Sequence, residues 1–399
     1  MKKLYSICFL LTALTYGCSS ANSSKKGLPY IDSRKNYPEK ELILTDIADV
    51  SYLHLNADDR DYLYSGGIRC VTEKTIVVYD NSSHTILFFS KDGKPKSRFN
   101  RRGRGGEEYL EADMIRYDET TDDVFVFSTV SRTDYIQVYS SNGKYKRKIS
   151  IPGICIYRVI NFDEHSFLVY DLNYYSPKLH EKQKSSPLAG LITHSPSFIF
   201  SKYESPFFLI SKTDGAIIEN IKVPEKDIVL LNPEGIPFDP ARMIQSPEGV
   251  FLCNPDTDTV FLYGKDRSLT PVIYKTPPGI DSYPMVILNN CIDMGRYQFM
   301  ELVTVCRENR EYPITYYFRD KKSGDIFKQK IVLPDYKGKV FNIGSYRLGY
   351  NFENGVRFNL DLMELKQALR ENRLSGELKD LVATLKDDDN NVFVFVKFK

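Results

Sequence analysis

Tryptophan is absent from these 399 residues, histidine occurs five times, and neither sign of charge prevails: 54 Lys and Arg stand against 52 Asp and Glu. A net charge of +2 argues against a general polyanion binder, which needs a strongly basic face, so no nucleic-acid partner is expected. His54, His84, His165, His180 and His194 stand far apart, with no His-Glu-x-x-His and no Gly-x-Ser-x-Gly, so neither a zincin nor an α/β-hydrolase is indicated. Most of these histidines are expected to be solvated loop residues. Cys-x-x-Cys is missing too, and the cysteine spacings do not suit zinc. No metal site and no cofactor is expected, with calcium or another divalent ion left open. Beyond the N-terminus no apolar run is long enough to span a membrane.

The one apolar run, Leu4 to Leu14, follows Lys2 and Lys3 and is too short for a permanent span, which marks residues 1–17 as a secretory signal. It ends Leu14-Thr15-Tyr16-Gly17-Cys18, which resembles a bacterial lipobox and implies a diacylglycerol on Cys18 as the membrane anchor. Tyr16 is bulkier than usual at its position, and an ordinary signal cut near Ser20 is the alternative. Ser19 to Lys26 is polar and free of aromatic residues, so residues 18–42 are expected to be a flexible tether, with the globular part from residue 43. Beyond Cys18 and the signal lie Cys70, Cys155, Cys253, Cys291 and Cys306, an odd number that cannot all pair. Runs such as Val250-Phe251-Leu252-Cys253 mark most of them as buried thiols, with one disulfide open.

Tyr and Phe are abundant, which favours strands over helices, and one pattern recurs six times. A polar turn leads into a short strand of alternating aromatic and aliphatic residues, closed by a second turn of Lys, Asp, Asn and Gly. The strands are Ile86-Leu87-Phe88-Phe89-Ser90, Tyr135-Ile136-Gln137-Val138-Tyr139, Phe207-Phe208-Leu209-Ile210, Val260-Phe261-Leu262-Tyr263, Ile314-Thr315-Tyr316-Tyr317-Phe318 and Val392-Phe393-Val394-Phe395-Val396. A partner strand precedes most of them, as in Thr75-Ile76-Val77-Val78-Tyr79 or Val124-Phe125-Val126-Phe127. Asp92-Gly93 and Asn142-Gly143 supply the positive φ that tight hairpins require, so each unit is an antiparallel meander. One such sheet cannot bury both faces alone, and radial arrangement around an axis covers them. The expected fold is therefore all-β: a six-bladed β-propeller of four-stranded antiparallel blades.

The copies lie about fifty residues apart except before the third and the sixth. Residues 171–205 account for the first excess as a loop insertion, and residues 361–386 for the second as a helical one. In the latter, Leu362, Leu365 and Leu369, then Leu378, Leu381, Val382 and Leu385, keep helical spacing, Asp361 with Glu364 forms a capping box, and Gly376 breaks the segment. The sixth copy ends the chain with no outer strand, while Val50-Ser51-Tyr52-Leu53-His54-Leu55 is a strand with no partner of its own. The two are expected to complete one blade and close the ring, making residues 43–399 a single domain.

With the repeats in place the chain resembles the uncharacterised six-bladed β-propeller lipoproteins of Gram-negative anaerobes, themselves similar to NHL and TolB-type propellers. Besides the lipoprotein start, the resemblance rests on Arg102-Gly103-Arg104-Gly105-Gly106-Glu107-Glu108-Tyr109 and on the closing Asp389-Asn390-Asn391-Val392-Phe393-Val394. Relatives often have Asn-Pro where this chain has Asn390-Asn391. The resemblance implies fold and a place in the cell envelope, on the outer membrane, without a common activity. Surface-exported lipoproteins of such bacteria often carry acidic residues after the lipidated Cys. Ser19 to Ser24 has none, which implies a periplasm-facing protein.

Three features are candidates for chemistry. Arg101, Arg102 and Arg104 sit among permissive glycines and form either a structural inter-blade loop or an anion site. Tyr174, Tyr175 and His180 in the 171–205 insertion would let it contact a ligand, or the loop only packs. Acidic pairs such as Asp256 and Asp258 sit in turns where Asp favours local hydrogen bonds, which explains them better than calcium. The expected function is a lipid-anchored binding or scaffold propeller for a protein or carbohydrate partner, in membrane contact through its lipid alone, and not an enzyme. The alternative is a metal-dependent hydrolase or lyase in the central channel, for which several Asp, Glu, Asn or His side chains would have to converge on the axis.

Overall fold

A computed structural model describes residues 27–112, 114–128, 135–151, 153–154, 156–171, 205–224, 242–253, 257–278, 284–306, 311–344 and 355–399. These form six sheets in chain order. Blade 1 is Gly66–Val71, Thr75–Asp80, Ile86–Ser90 and Pro95–Phe99, a plain antiparallel meander. Blade 2 runs from Met114–Asp118 to Tyr145–Ser150 and blade 3 from Ile156–Asn161 to Ile217–Ile221 in the same order. Blades 4 and 5 begin at Arg242–Gln245 and Met285–Met294 and end at Leu269–Thr276 and Ile326–Val332. The first strands of blades 1 to 5 touch one another in sequence round the ring, which puts them at the axis.

Five predicted copies are the third strands of their blades, with the predicted partners as second strands, and the sixth holds the same place, one in from the outer strand, among the three strands described in blade 6. Where a sheet packs against a neighbour on either face both are buried: in blade 1, Ile86–Phe89 and Thr75–Asp80 are buried throughout. The turn glycines add a contact that period and pattern do not reveal. Gly93 has φ +81°, and a Cβ there would lie 2.2 Å from the His54 carbonyl oxygen in the outer strand of blade 6. Gly215, with φ +76°, stands in the same relation to the Ser150 carbonyl oxygen of blade 2, at 2.3 Å. The turn between third and fourth strands therefore docks on the preceding blade, and glycine serves both the left-handed backbone and the close approach.

Closure follows expectation. Val392–Phe398 pairs with Gly355–Leu360 on one side and with Ala48–His54 on the other, Val394 opposite Tyr52. The two asparagines of the ending each have work. Asn390 Nδ2 donates to the carbonyls of Leu55 (2.9 Å) and Tyr62 (3.1 Å), tying blade 6 to the entry of blade 1. Asn391 Oδ1 accepts from the Leu362 backbone N–H at 2.9 Å.

The N-terminal boundary needs correction. Residues up to 42 were expected to be tether, yet Tyr30–Asp32 lies parallel to Leu269–Thr276 and Glu39–Ile43 lies parallel to Ile326–Val332. This strap adds a fifth strand to blades 4 and 5 before a helical turn, Leu44–Ile47, delivers the chain to blade 6. Ile31, Leu42 and Leu44 are buried beneath it, which gives the segment the apolar anchorage a tether lacks.

The helical insertion is two helices, α1 (Leu362–Arg370) and α2 (Gly376–Thr384), between the second and third strands of blade 6. Asp361 Oδ1 accepts from the Glu364 backbone N–H at 3.0 Å, one arm of the expected box. Replacing Asp361 by Ala should cost about 1 kcal/mol in chemical denaturation; an unchanged midpoint would show the cap to be idle. The break falls at Glu371 to Ser375, where Asn372 has φ +53°, and Gly376 opens α2 rather than ending α1. The 171–205 insertion lies almost wholly outside the described residues, but Asp171 and Phe207 place it between the second and third strands of blade 3. Cys70, Cys253 and Cys291 are buried thiols and Cys306 is half-buried, as the apolar context implied.

Candidate functional site

In an antiparallel meander, loops between second and third strands and loops between blades open on the same face of the disc. The Arg101–Tyr109 loop joins blades 1 and 2, and the 171–205 and 361–386 insertions join second to third strands. All three therefore arise on one face. Cys18, Tyr174, Tyr175 and His180 lie outside the described residues.

Within the glycine-rich loop two arginines are committed to the protein itself. Arg101 Nε donates to the Gly143 carbonyl at 2.9 Å, fastening the loop to blade 2. Arg102 donates from Nε to the Leu110 carbonyl (3.2 Å) and pairs through Nη2 with Glu111 (2.9 Å). Glu108 accepts from the Gly105 backbone N–H at 2.7 Å, so the carboxylate braces the turn. Arg104 is exposed and makes no hydrogen bond or ion pair with the described residues. The bracing favours the structural role for Arg101 and Arg102 and leaves Arg104, exposed like the other two, as the one of the three without a partner among the described residues.

Two sequence expectations about polar residues are corrected. Asp258 is more than a turn residue: just ahead of its strand it is buried and pairs with the fully buried Lys275 at 3.1 Å. Nor are most of the described histidines solvated, as was expected. His54 sits half-buried in the outer strand of blade 6, and burial lowers its pKa. His84 is half-buried in a turn at φ +60°, its Nδ1 at 2.9 Å from the Tyr79 hydroxyl. His165 is exposed.

The axis itself holds what the sequence reading missed. The first strand of blade 1 bulges at Arg69, that of blade 3 at Tyr157 and that of blade 5 at Asn289, while those of blades 2 and 4 pair regularly. A bulged residue has no cross-strand partner and re-aims its side chain, which is why bulges favour functional rims. Asn289 Nδ2 donates to the buried Glu301 carboxylate at 2.5 Å. Around blades 6, 1, 2 and 3 the residues are instead basic.

Arg116, on the first strand of blade 2, donates from Nη1 to the carbonyls of Ile115 (2.8 Å) and Arg69 (3.2 Å), and from Nη2 to that of Val159 in blade 3. Arg357 of blade 6 donates from Nη2 to the Ile68 carbonyl at 2.8 Å. Innermost strands have one ladder edge with no neighbouring strand, so their carbonyls need donors, and these guanidinium groups supply them across blade boundaries. Arg158 of blade 3 lies 5.1 Å from the Tyr157 ring. Burial pulls the Arg357 pKa down to about 10, and the charges of Arg116 and Arg69 act in the same direction. Burial also lowers that of Arg116, with help from Arg158 and Arg69. The four cations thus share one electrostatic environment. A sequence signal existed: Arg69, Arg116 and Arg158 precede the second strands at Thr75, Asp123 and Ser166 by six, seven and eight residues. Among the described residues no group of three or more His, Cys, Asp or Glu side chains is placed to hold a metal.

Comparison with known proteins agrees with this architecture. Residues 19–194 match the family model DUF5128, described as a 6-bladed beta-propeller. The chain is similar in fold to a crystal structure from Bacteroides fragilis described as an exported protein, with a TM-score of 0.60, 14% identity, and 93% of this chain and 99% of that one covered. A Bacteroides vulgatus member of the DUF4221 family aligns with a TM-score of 0.48 and 10% identity over 88% of this chain and 97% of that one. No curated protein matches the sequence.

Proposed function

We propose that this chain, a six-bladed β-propeller similar to the DUF5128 family, works as a binding and scaffold lipoprotein of the bacterial cell envelope. Export would proceed through residues 1–17, followed by anchoring through a lipid on Cys18, at the outer membrane and facing the periplasm. The Bacteroides fragilis structure of the same fold is described as an exported protein, which supports the envelope location. Eight residues lie between Cys18 and Gly27, where the described strap begins. Fully stretched they reach only about 30 Å, so the disc would ride close to the bilayer with blades 4 and 5 nearest the anchor.

The observation that carries the binding reading is the joint emergence of the Arg101–Tyr109 loop and both insertions on one face of a rigid ring. A protein or carbohydrate partner would meet Arg104 there, together with Tyr174, Tyr175 and His180 of the insertion. Fractionation tests the anchor: Cys18→Ala should move the protein from the membrane fraction to the soluble one, and retention would remove the lipid from the account. Melting with calcium or zinc tests the metal-dependent alternative. The expected change is under about 1 °C, whereas a rise of several degrees would bring the hydrolase or lyase forward.

A further inference from the structure

We propose that the axial space bounded by blades 6, 1, 2 and 3 is an oxyanion site, where Arg357, Arg116, Arg158 and the Tyr64 hydroxyl hold a small phosphate- or sulfate-type group. The inference deepens the binding reading, on which it rests, by naming a ligand chemistry for the ring itself.

Donor accounting leads to it. Arg357 is only 6% exposed, yet its Nη1 has no hydrogen-bond partner. The Nε of Arg116 and the Nε of Arg158 are buried and likewise unmatched, as is the hydroxyl of Tyr64, which the Arg357 charge reaches. Every acceptor that Arg116 and Arg357 do have is a neutral backbone carbonyl. No carboxylate among the described residues pairs with Arg116, Arg158 or Arg357. Native proteins seldom leave one buried donor unmatched, and still more seldom several on neighbouring cations. Burying like charges side by side without a counter-charge is costly, and an anion with several acceptor oxygens removes both penalties at once.

The chemical class follows from the donors. All of the unmatched groups are N–H or O–H, so the ligand has to be acceptor-only at its head. Guanidinium groups arriving from separate blades suit a tetrahedral oxyanion, whose oxygens point in different directions, better than a single flat carboxylate. The carbonyl tethers of Arg116 and Arg357 hold two of the guanidinium groups in place beforehand, which limits the entropy lost on binding.

Calorimetric titration of the purified full-length protein with sodium sulfate, against sodium chloride at matched ionic strength, tests the site. Sulfate should bind once per chain and raise the melting temperature where chloride does not. Arg116→Met does not decide the matter alone, since Arg116 ties three blades together, so the deciding variant is Arg158→Met. Arg158 makes no hydrogen bond to the described residues. Its loss should weaken sulfate roughly 10- to 100-fold while the ligand-free melt does not fall, and the exposed control Arg34→Met should bind as the parent does. Glucosamine 6-sulfate forms the second arm. Binding equal to or tighter than sulfate assigns the anion to a group carried on a sugar, and binding of the inorganic ion alone assigns it to a free ion. Sulfate that behaves as chloride does, or Arg158→Met that binds like the parent, overturns the proposal. Failure here with Cys18-dependent membrane retention intact would fall on the axial site alone, and loss of that retention on the envelope reading alone.

Discussion

Deleting Val392–Lys399 is expected to leave a chain that does not fold to a monomeric disc. The segment is the central strand of its sheet, with ladders on both edges, and Val392, Phe393, Val394, Phe395 and Val396 are all buried. Five such side chains are worth roughly 8–15 kcal/mol of burial, as much as the whole net stability of a typical domain. Their removal also opens two facing sheet edges, which invite pairing between chains. Size-exclusion chromatography and circular dichroism should show aggregated protein without a cooperative melt. A soluble monomer melting near the parent temperature would mean that the ring does not depend on this closure. Val394→Asp is the gentler version of the same test. It places a carboxylate at a fully buried position between Phe358 and Tyr52 in the ladder, and should still cost several kcal/mol.

The second large effect is expected at Lys275. Its side chain is 0% exposed and pairs with Asp258, itself 5% exposed, on the outer side of blade 4. Lys275→Ala would leave the Asp258 carboxylate buried without its cation, which typically costs about 3–5 kcal/mol. Urea denaturation of the single variant should show that loss. The double variant Asp258→Leu with Lys275→Met should recover most of it, because replacing both charges removes the desolvation cost along with the attraction. Equal loss in single and double variants would show that the pair stabilises by more than avoiding a stranded charge.

What the sequence disclosed and what it hid divide along physical lines. The third strands were legible because short runs of aromatic and aliphatic residues, four of them buried in each of Ile86–Ser90, Tyr135–Tyr139 and Phe207–Ser211, recur between polar turns, and the ring closure because an orphan strand stood at each end of the chain. The strap was hidden by its shortness. Tyr30–Asp32 has three residues, and Glu39–Ile43 reads Glu-Lys-Glu-Leu-Ile, so neither shows an alternation that pattern reasoning can use. The axial arginines were hidden for a different reason. Arg69, Arg116 and Arg158 are single residues on three different first strands and Arg357 is one on Gly355–Leu360, and their convergence is a property of the ring rather than of any local motif. Bulges at Arg69, Tyr157 and Asn289 add to this, since a bulge breaks the two-residue period by which a strand is recognised. The buried ion pair of Asp258 was hidden because an acidic residue ahead of a strand already fits a turn, and only its burial against Lys275 reveals the second role.

The strap has a mechanical consequence. Any pull transmitted through the chain ahead of Gly27 meets the ladder on blade 4 first, three residues long, then the five-residue ladder on blade 5. Only after both have given way does the load reach Ala48–His54, the strand that shuts the ring. The N-terminal run thus acts as two fuses in series, yielding in order of increasing length and taking up slack while the disc behind them stays closed.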